Sequence, residues 1–340
     1  MPSGTKLPIQ RPSDTLYENR TKPRSLTRMT TMTNLSYREI RDVASRHLIL
    51  SALFFLPKGK KIALERRLRG QQENAKLQEA DWALVSWGKS GRTWFRVMLS
   101  RFYQLHYRLE TEYMLEFDNF HALNPAAPKV LFSHNNYIRD HFGHGDDLAQ
   151  YRGKKLVLLV RDPRDVAVSQ YFQWRYRMRP RKKDLNAYPA HGSDVAIYDF
   201  VRNPDCGIPR IVAAFNAWAR SLPGLGDDVL VVRYEDLRRD PAEVLRQVVT
   251  FTGVDPDPAH IEAAKDYAAY ENMKKREATN EGMRGSGQRV KPGDESNPDS
   301  FKVRRGKVGG YRDYFTPEEV TVVDAMVEGA LDPVFGYNEA

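Results

Sequence analysis

Cysteine is almost missing from this chain. Its 340 residues include one, Cys206, which excludes an internal disulfide framework and a cysteine-built zinc site and makes a reducing compartment the simplest reading. Long apolar runs are missing as well. The first strong one, HLILSALFFLP from His47 to Pro57, falls short of the ~20 residues that a membrane-spanning helix requires. No apolar core follows a basic start at the N-terminus, so no secretory signal is expected, and no internal repeat is visible. Acidic residues are the minority charge: 44 Asp and Glu stand against 53 Lys and Arg, a formal charge of +9. That balance points to an anionic partner, whether nucleotide, glycan, membrane surface or nucleic acid. The remaining composition, 41% hydrophobic and 11% aromatic, is that of a globular chain able to bury a sizeable core.

Residues 1–34, rich in Ser, Thr, Pro and Arg, read as a flexible tail. Residues 35–80 read as a helical segment. Within it the apolar run is followed by Lys58, Lys60, Lys61, Arg66, Arg67 and Arg69. One reading is a packing helix broken at Pro57 and continued by a basic, solvated helix; the other is an interfacial wedge on an anionic leaflet. From residue 81 to 340 the pattern is that of one α/β domain. The runs WALVSW (82–87), KVLFSH (129–134), KKLVLLVR (154–161) and DVLVVRY (228–234) are short and rich in Val and Leu, as strands buried on both faces of a parallel sheet are. Helical patterns lie between them at 92–107, 164–176, 208–222 and 240–254. The first carries an apolar stripe of Trp94, Val97, Met98, Phe102 and Leu105, and the last has Pro241 in its first turn and Gly253 past its end. The expected fold is therefore a central parallel sheet flanked by helices, with ligands beyond the carboxyl ends of the strands. Residues 281–303, rich in Gly, Pro, Ser, Asn and charge, read as a mobile loop or lid.

The stretch VSWGKSGRTWF leaves the first expected strand and enters a helix, so free N–H groups and the helix dipole converge there on an anion. Gly88 and Gly91 allow close approach, Lys89 adds charge, and Ser90 and Thr93 add hydroxyls. A Walker A loop needs glycine where this chain has Ala83, and LVLLVRD ends in Arg161 before Asp162. A magnesium-dependent P-loop kinase or triphosphatase is thus the alternative rather than the first reading. A phosphate of another kind is expected.

Three further segments give the loop its context: RDPRDVAVSQYF (161–172), YEDLRRDP (234–241) and RRGKVGGYRDYFTPEE (304–319). Together with Lys89-Ser90-Gly91-Arg92-Thr93-Trp94 they resemble, in order, the signatures of the sulfotransferases that use 3′-phosphoadenosine-5′-phosphosulfate (PAPS). The resemblance runs over roughly residues 82–320 and implies the P-loop-like, three-layer sulfotransferase fold. It implies that Lys89 meets the bridging oxygen of the phosphosulfate, that Ser90, Gly91, Arg92 and Thr93 hold the 5′-phosphate, and that Trp94 packs on adenine. Arg161 and Ser169 would bind the 3′-phosphate with Arg304, Arg305 and the amide of Gly306. Tyr234 would lie near the adenine amino group, and Tyr270, three residues before Met273, would stack on the base. His134, at the end of the second expected strand, resembles the family's general base, a role suited to a side chain that titrates near neutral pH. This chain departs from the family at five places: Arg92, Ser133 and Ala268 stand for threonine, Phe132 for lysine, and Arg305 for lysine with the charge kept.

The resemblance implies in-line transfer of a sulfuryl group to an acceptor hydroxyl or amine. His134 would take the proton, Lys89 would steady the leaving phosphate, and no metal would be needed. The basic aromatic stretch QWRYRMRPRKKD (173–184) reads as either the lining of an acceptor cleft or a solvated loop. With residues 47–69 it favours a lipid or saccharide acceptor near a membrane, in a cytoplasmic protein at the inner surface. No recognised nucleic-acid reading module is present, so nucleic acid is not an expected partner.

Overall fold

The computed structural model describes residues 41–143, 148–279, 292–294 and 296–338. The expected tail (1–34) and residues 281–291 and 295 of the expected lid lie outside the described residues.

All four apolar runs become strands: β1 (Trp82–Ser86), β2 (Val130–Ser133), β3 (Lys155–Val160) and β4 (Val229–Arg233). They form one parallel sheet in the order β2-β1-β3-β4, in which Leu84 pairs with Phe132 on one side and Val157 on the other. Every residue of β1 is buried, as a central strand covered on both faces must be. Alternation of side chains splits the core in two. Ala83, Val85, Leu131, Leu156 and Leu158 face Phe215 and Trp218 of the helix Ile208–Leu225. Trp82, Leu84, Val130, Val157 and Leu159 face Phe95, Met98 and Phe102 of the helix Arg92–His106, with Leu245 and Val248 of the helix Pro241–Phe251.

The buried stripe of the Arg92–His106 helix is rotated from the expected one. It runs Phe95, Met98, Leu99, Phe102, while Trp94 is half-buried and donates its indole N–H to the Ala268 carbonyl (2.7 Å). Trp94 is thereby kept off the sheet and at the strand ends.

The segment before the sheet is a helix over 41–52, a turn, and the helix Lys58–Glu79 begun at Pro57. The second of these packs against the helix Asn136–Phe142, where a Cβ on Gly70 would stand 2.1 Å from the Tyr137 carbonyl oxygen. Its basic run is not simply solvated, as one reading held, because tertiary structure brings acceptors to it. Arg66 donates to Asp140 and to the Leu185 carbonyl, and buried Glu65 takes Arg69 (2.7 Å) and Arg181 (2.5 Å). Among the described residues no helix is long and apolar enough to cross a membrane.

The chain steps from β1 to β2 on one side and returns to β3 on the other, so a crevice opens between the carboxyl ends of β1 and β3. Three of the candidate residues follow directly on strand ends: His134 on β2, Arg161 on β3 and Tyr234 on β4. Lys89 lies three residues past β1.

Candidate active site

Two left-handed residues shape the loop after β1: Lys89 at φ 73° and Gly91 at φ 92°. The conformation costs about 1–2 kcal/mol at a side chain such as lysine's and turns successive N–H groups into one concavity. Gly91 is required for a second reason, since a Cβ there would lie 2.5 Å from the Tyr234 ring. The helix that follows has no side-chain cap and no acidic residue in its first turn, so its first N–H groups stay open to an anion. Thr93 stands half-buried in that turn. Ser90 is fully buried and its hydroxyl makes no hydrogen bond within the protein.

Lys89 reaches solvent over part of its surface, yet surrounding protein and then the Arg177 and Arg304 guanidiniums hold its pKa down to about 7. An ammonium opposed by neighbouring cations in a crowded site is a place where an arriving anion is favoured.

Arg161 closes the crevice from β3. It donates to the Lys89 carbonyl (3.2 Å), to Asp165 (3.3 Å) and to the Lys307 carbonyl (3.2 Å), and lies over the Tyr234 ring at 4.3 Å. Asp165, buried in the helix Pro163–Tyr176, also accepts from the N–H groups of Gly309 and Tyr311, both at 2.9 Å. This one carboxylate therefore fastens the C-terminal basic segment beside the loop. Arg304 lies over the Phe172 ring at 3.6 Å and donates to the Tyr314 hydroxyl (2.6 Å). Gly306, at φ 60°, passes the Tyr270 ring, whose hydroxyl bonds the Arg304 carbonyl at 3.0 Å.

Trp94 and Tyr234 meet edge to face at 6.1 Å, with Arg238 over the indole. Lys89, Gly91, Trp94, Arg161, Tyr234, Tyr270, Arg304 and Gly306 are thus gathered by direct contacts. Arg305 is turned outward onto Asp313 (3.1 Å), and Ser169 lies half-buried on the Pro163–Tyr176 helix. Glu235 accepts from the Asp162 N–H (3.2 Å) and the Tyr337 hydroxyl, and Asp236 pairs with Arg239 (2.6 Å); both are structural.

His134 stands at the mouth of β2 with both ring nitrogens engaged. Nδ1 lies 2.8 Å from the Ser86 carbonyl oxygen, which only accepts, so Nδ1 carries the proton. Nε2 lies 2.8 Å from the Arg92 guanidinium, which only donates, so Nε2 offers its lone pair. Crowding by protein, then the Arg92 cation, puts the imidazole pKa well below the ordinary histidine value, although the residue as a whole is exposed. Phe132, where lysine was expected by resemblance, packs into the core with the Arg96 guanidinium over its ring at 4.4 Å.

Sequence reasoning missed Lys302, Arg177 and Glu277. Glu277, with no exposed side-chain surface, accepts from the N–H groups of Lys302 and Val303 and pairs with Arg177 at 3.5 Å. Burial, then Lys89 and Arg177, push the Lys302 pKa well below the ordinary lysine value. The signal available was only that 173–184 and 304–307 are both basic. The first of these is not simply a solvated loop, although Arg175, Tyr176, Arg179 and Arg181 remain exposed. Arg177 pairs with Glu277, Arg181 with Glu65 (2.5 Å), Lys182 lies over the Tyr137 ring, and Lys183 is buried over the Trp174 ring.

Comparison with known proteins adds an independent finding. A family model described as "Sulfotransferase domain" matches residues 149–334, more than half of the chain. That range contains Arg161, Ser169, Tyr234, Tyr270 and Arg304–Gly306; the Lys89 loop and His134 precede it. The chain is 26% identical over 181 residues to "Cytosolic sulfotransferase 17" of Arabidopsis thaliana, covering 52% of this chain and 49% of that one. It is 22% identical over 179 residues to "Sulfotransferase 2A1" of Mus musculus, covering 51% and 55%. The chain thus spans about half the length of these curated relatives. Among solved structures, mouse sulfotransferase SULT7A1 complexed with PAP superposes with a TM-score of 0.48 at 20% identity, covering 74% of this chain and 84% of that one.

Proposed function

This chain belongs to the sulfotransferase family, and from that premise we propose that it transfers the sulfuryl group of PAPS to an acceptor hydroxyl or amine. The observation that carries the reading is the meeting of the Lys89 loop and Arg161 in the β1–β3 crevice. Residues of this site fit the donor in three respects: the buried Ser90 hydroxyl lacks a partner, the Gly91 cradle would be filled by any Cβ, and Lys89 is crowded by cations.

In this reading Lys89, Ser90, Thr93 and the loop N–H groups hold the 5′-phosphosulfate, and Arg161, Ser169, Arg304 and the Gly306 N–H hold the 3′-phosphate. Trp94, Tyr234 and Tyr270 frame adenine. His134 Nε2 takes the proton of the acceptor as its oxygen or nitrogen bonds to sulfur and the bond from sulfur to the phosphate oxygen breaks. Lys89 neutralises the charge left on that phosphate, so 3′-phosphoadenosine-5′-phosphate (PAP) departs. Catalysis then comes from positioning and preorganised charge.

The test is transfer of label from [³⁵S]PAPS to lipid and saccharide fractions of a cell extract, without magnesium. Labelled product is expected, and His134→Asn is expected to lower its rate by ~10²–10⁴-fold while leaving PAP binding in place. Binding of PAP with no transfer to any fraction would contradict the enzymatic reading.

The acceptor is proposed to be a lipid or saccharide at an anionic membrane surface. Phe54 and Phe55 at the turn between the first two described helices are 77% and 68% exposed, and Leu48 is 73% exposed. Lys58, Lys60, Lys61 and Arg67 follow immediately, the pairing of apolar wedge and basic flank that suits an anionic leaflet. Co-sedimentation with phosphatidylserine vesicles, lost in Phe54→Ser/Phe55→Ser and absent with phosphatidylcholine vesicles, is the expected result. Equal sedimentation of the variant would remove this part of the reading. The single buried Cys206 supports a cytoplasmic setting.

A further inference from the structure

Arg92 stands one residue after the Gly91 cradle, yet its guanidinium is directed to the base. It donates to Nε2 of His134 at 2.8 Å and to the Ser133 carbonyl. The other ring nitrogen, Nδ1, is committed to Ser86 at 2.8 Å. An imidazole held in this way has one lone pair, and Arg92 covers it. While it does so, Nε2 has nowhere to receive a proton from an acceptor.

Other charges face the pair. Lys182 and Lys302 are the further cations near the ring. Glu73, on the helix Lys58–Glu79, is the carboxyl facing Arg92; its pKa is raised by burial and opposed by the Ser133 hydroxyl and by Arg92 itself. Ser133 Oγ also accepts from the Asn135 N–H (2.7 Å). Among the partners of the guanidinium are therefore a neutral imidazole, a carbonyl and the half-buried Glu73 carboxyl. A phosphosulfate on the adjoining loop offers fully charged oxygens in forked geometry, which guanidinium prefers.

We propose that Arg92 is a donor-sensitive guard on the base. It caps His134 Nε2 in the nucleotide-free protein and moves onto the anion held by the Lys89 loop when the donor binds, leaving Nε2 free for the acceptor. This inference rests on the sulfotransferase reading of the same site. It accounts for a single side chain that neighbours both the phosphate cradle and the base. The driving force is differential, as any ligand-driven shift requires: the anion interacts with one position of Arg92 and not with the other. The depressed His134 pKa agrees with the capped state. Arg92 acts through His134 and is a positioning residue.

The experiment uses the full chain labelled with ¹⁵N-histidine at pH 8, with PAP as the probe and His134→Asn to assign the resonance. Without PAP, His134 Nε2 is expected upfield of a free imine nitrogen, as an acceptor of a hydrogen bond. On saturation with PAP it is expected to move downfield to the free-imine position. In Arg92→Met it is expected at that position from the start and unmoved by PAP. The wild-type comparison needs no variant, so the test stands even if Arg92→Met does not fold. PAP that binds by calorimetry without moving Nε2 would overturn the guard and leave the sulfotransferase reading intact. PAP that does not bind would overturn that reading, and the guard with it.

Discussion

At the scale of single residues, the site concentrates cations whose charge is incomplete until an anion arrives. Lys89 has its pKa lowered to about 7 by burial, Arg177 and Arg304, and Lys302 is pushed down by burial, Lys89 and Arg177. A bound polyanion restores the Lys89 charge, so the complex holds more protons than the free protein. The sign follows: affinity for PAP should fall as pH rises above 7, by up to about tenfold per pH unit for each proton taken up. Calorimetry in buffers of different ionisation heat should show proton uptake at pH 8. Lys89→Arg, which stays charged, should reduce the uptake by about one proton. Uptake unchanged by that substitution would assign the titration elsewhere. Lys89 could be singled out from sequence as the cation of a glycine-bearing strand-to-helix loop, whereas Arg161 and His134 were legible only through the family resemblance of the segments that hold them. Lys302 and Glu277 could not. Nothing in the composition of a basic segment tells which of its charges the fold will bury, and Glu277 becomes a hub only when two backbone N–H groups and Arg177 reach it. The Arg92–His134 contact was hidden likewise, since it joins residues 42 apart in the chain.

At the scale of elements, local signals and tertiary demands agree where the sheet is concerned. The runs of Val and Leu become β1 to β4 within a residue or so of their expected ends, because strands covered on both faces leave little freedom for polar residues. Asp240 caps the Pro241–Phe251 helix by accepting from the Glu243 N–H (3.0 Å), as its position before Pro241 implies. The stretch 173–184 was not legible, because its cations are held by Glu277, Glu65 and aromatic rings from distant segments. The Lys89 loop yields the element-scale prediction. Gly91→Ala would put a methyl 2.5 Å from the Tyr234 ring at a φ of 92°. The left-handed backbone alone costs about 1–2 kcal/mol, and displacing Tyr234 disturbs Trp94 and Arg161 with it. Denaturant unfolding should show at least that loss, together with weakened PAP binding. Unchanged stability would mean that the loop relaxes freely and is not the rigid cradle described.

At the scale of the whole molecule, the order β2-β1-β3-β4 produces the crevice between β1 and β3, and two separate cores on either face of the sheet hold it. Alternating strand and helix patterns were enough to expect a parallel sheet. Strand order was not legible, since it depends on which edges pair and not on any run of residues. The central claim is that the crevice recognises a nucleotide bearing phosphates at both the 5′ and 3′ positions. The most direct measurement is titration of the purified protein with PAP, ATP and AMP in the absence of magnesium, repeated on Lys89→Ala and Arg161→Ala. PAP should bind far more tightly than ATP or AMP. Each substitution should weaken it by about tenfold or more, since a hydrogen bond to a charged group contributes ~1.5–3 kcal/mol. Equal or tighter binding of ATP, or PAP binding that survives both substitutions, would contradict the account and return the loop to the nucleotide kinases and triphosphatases.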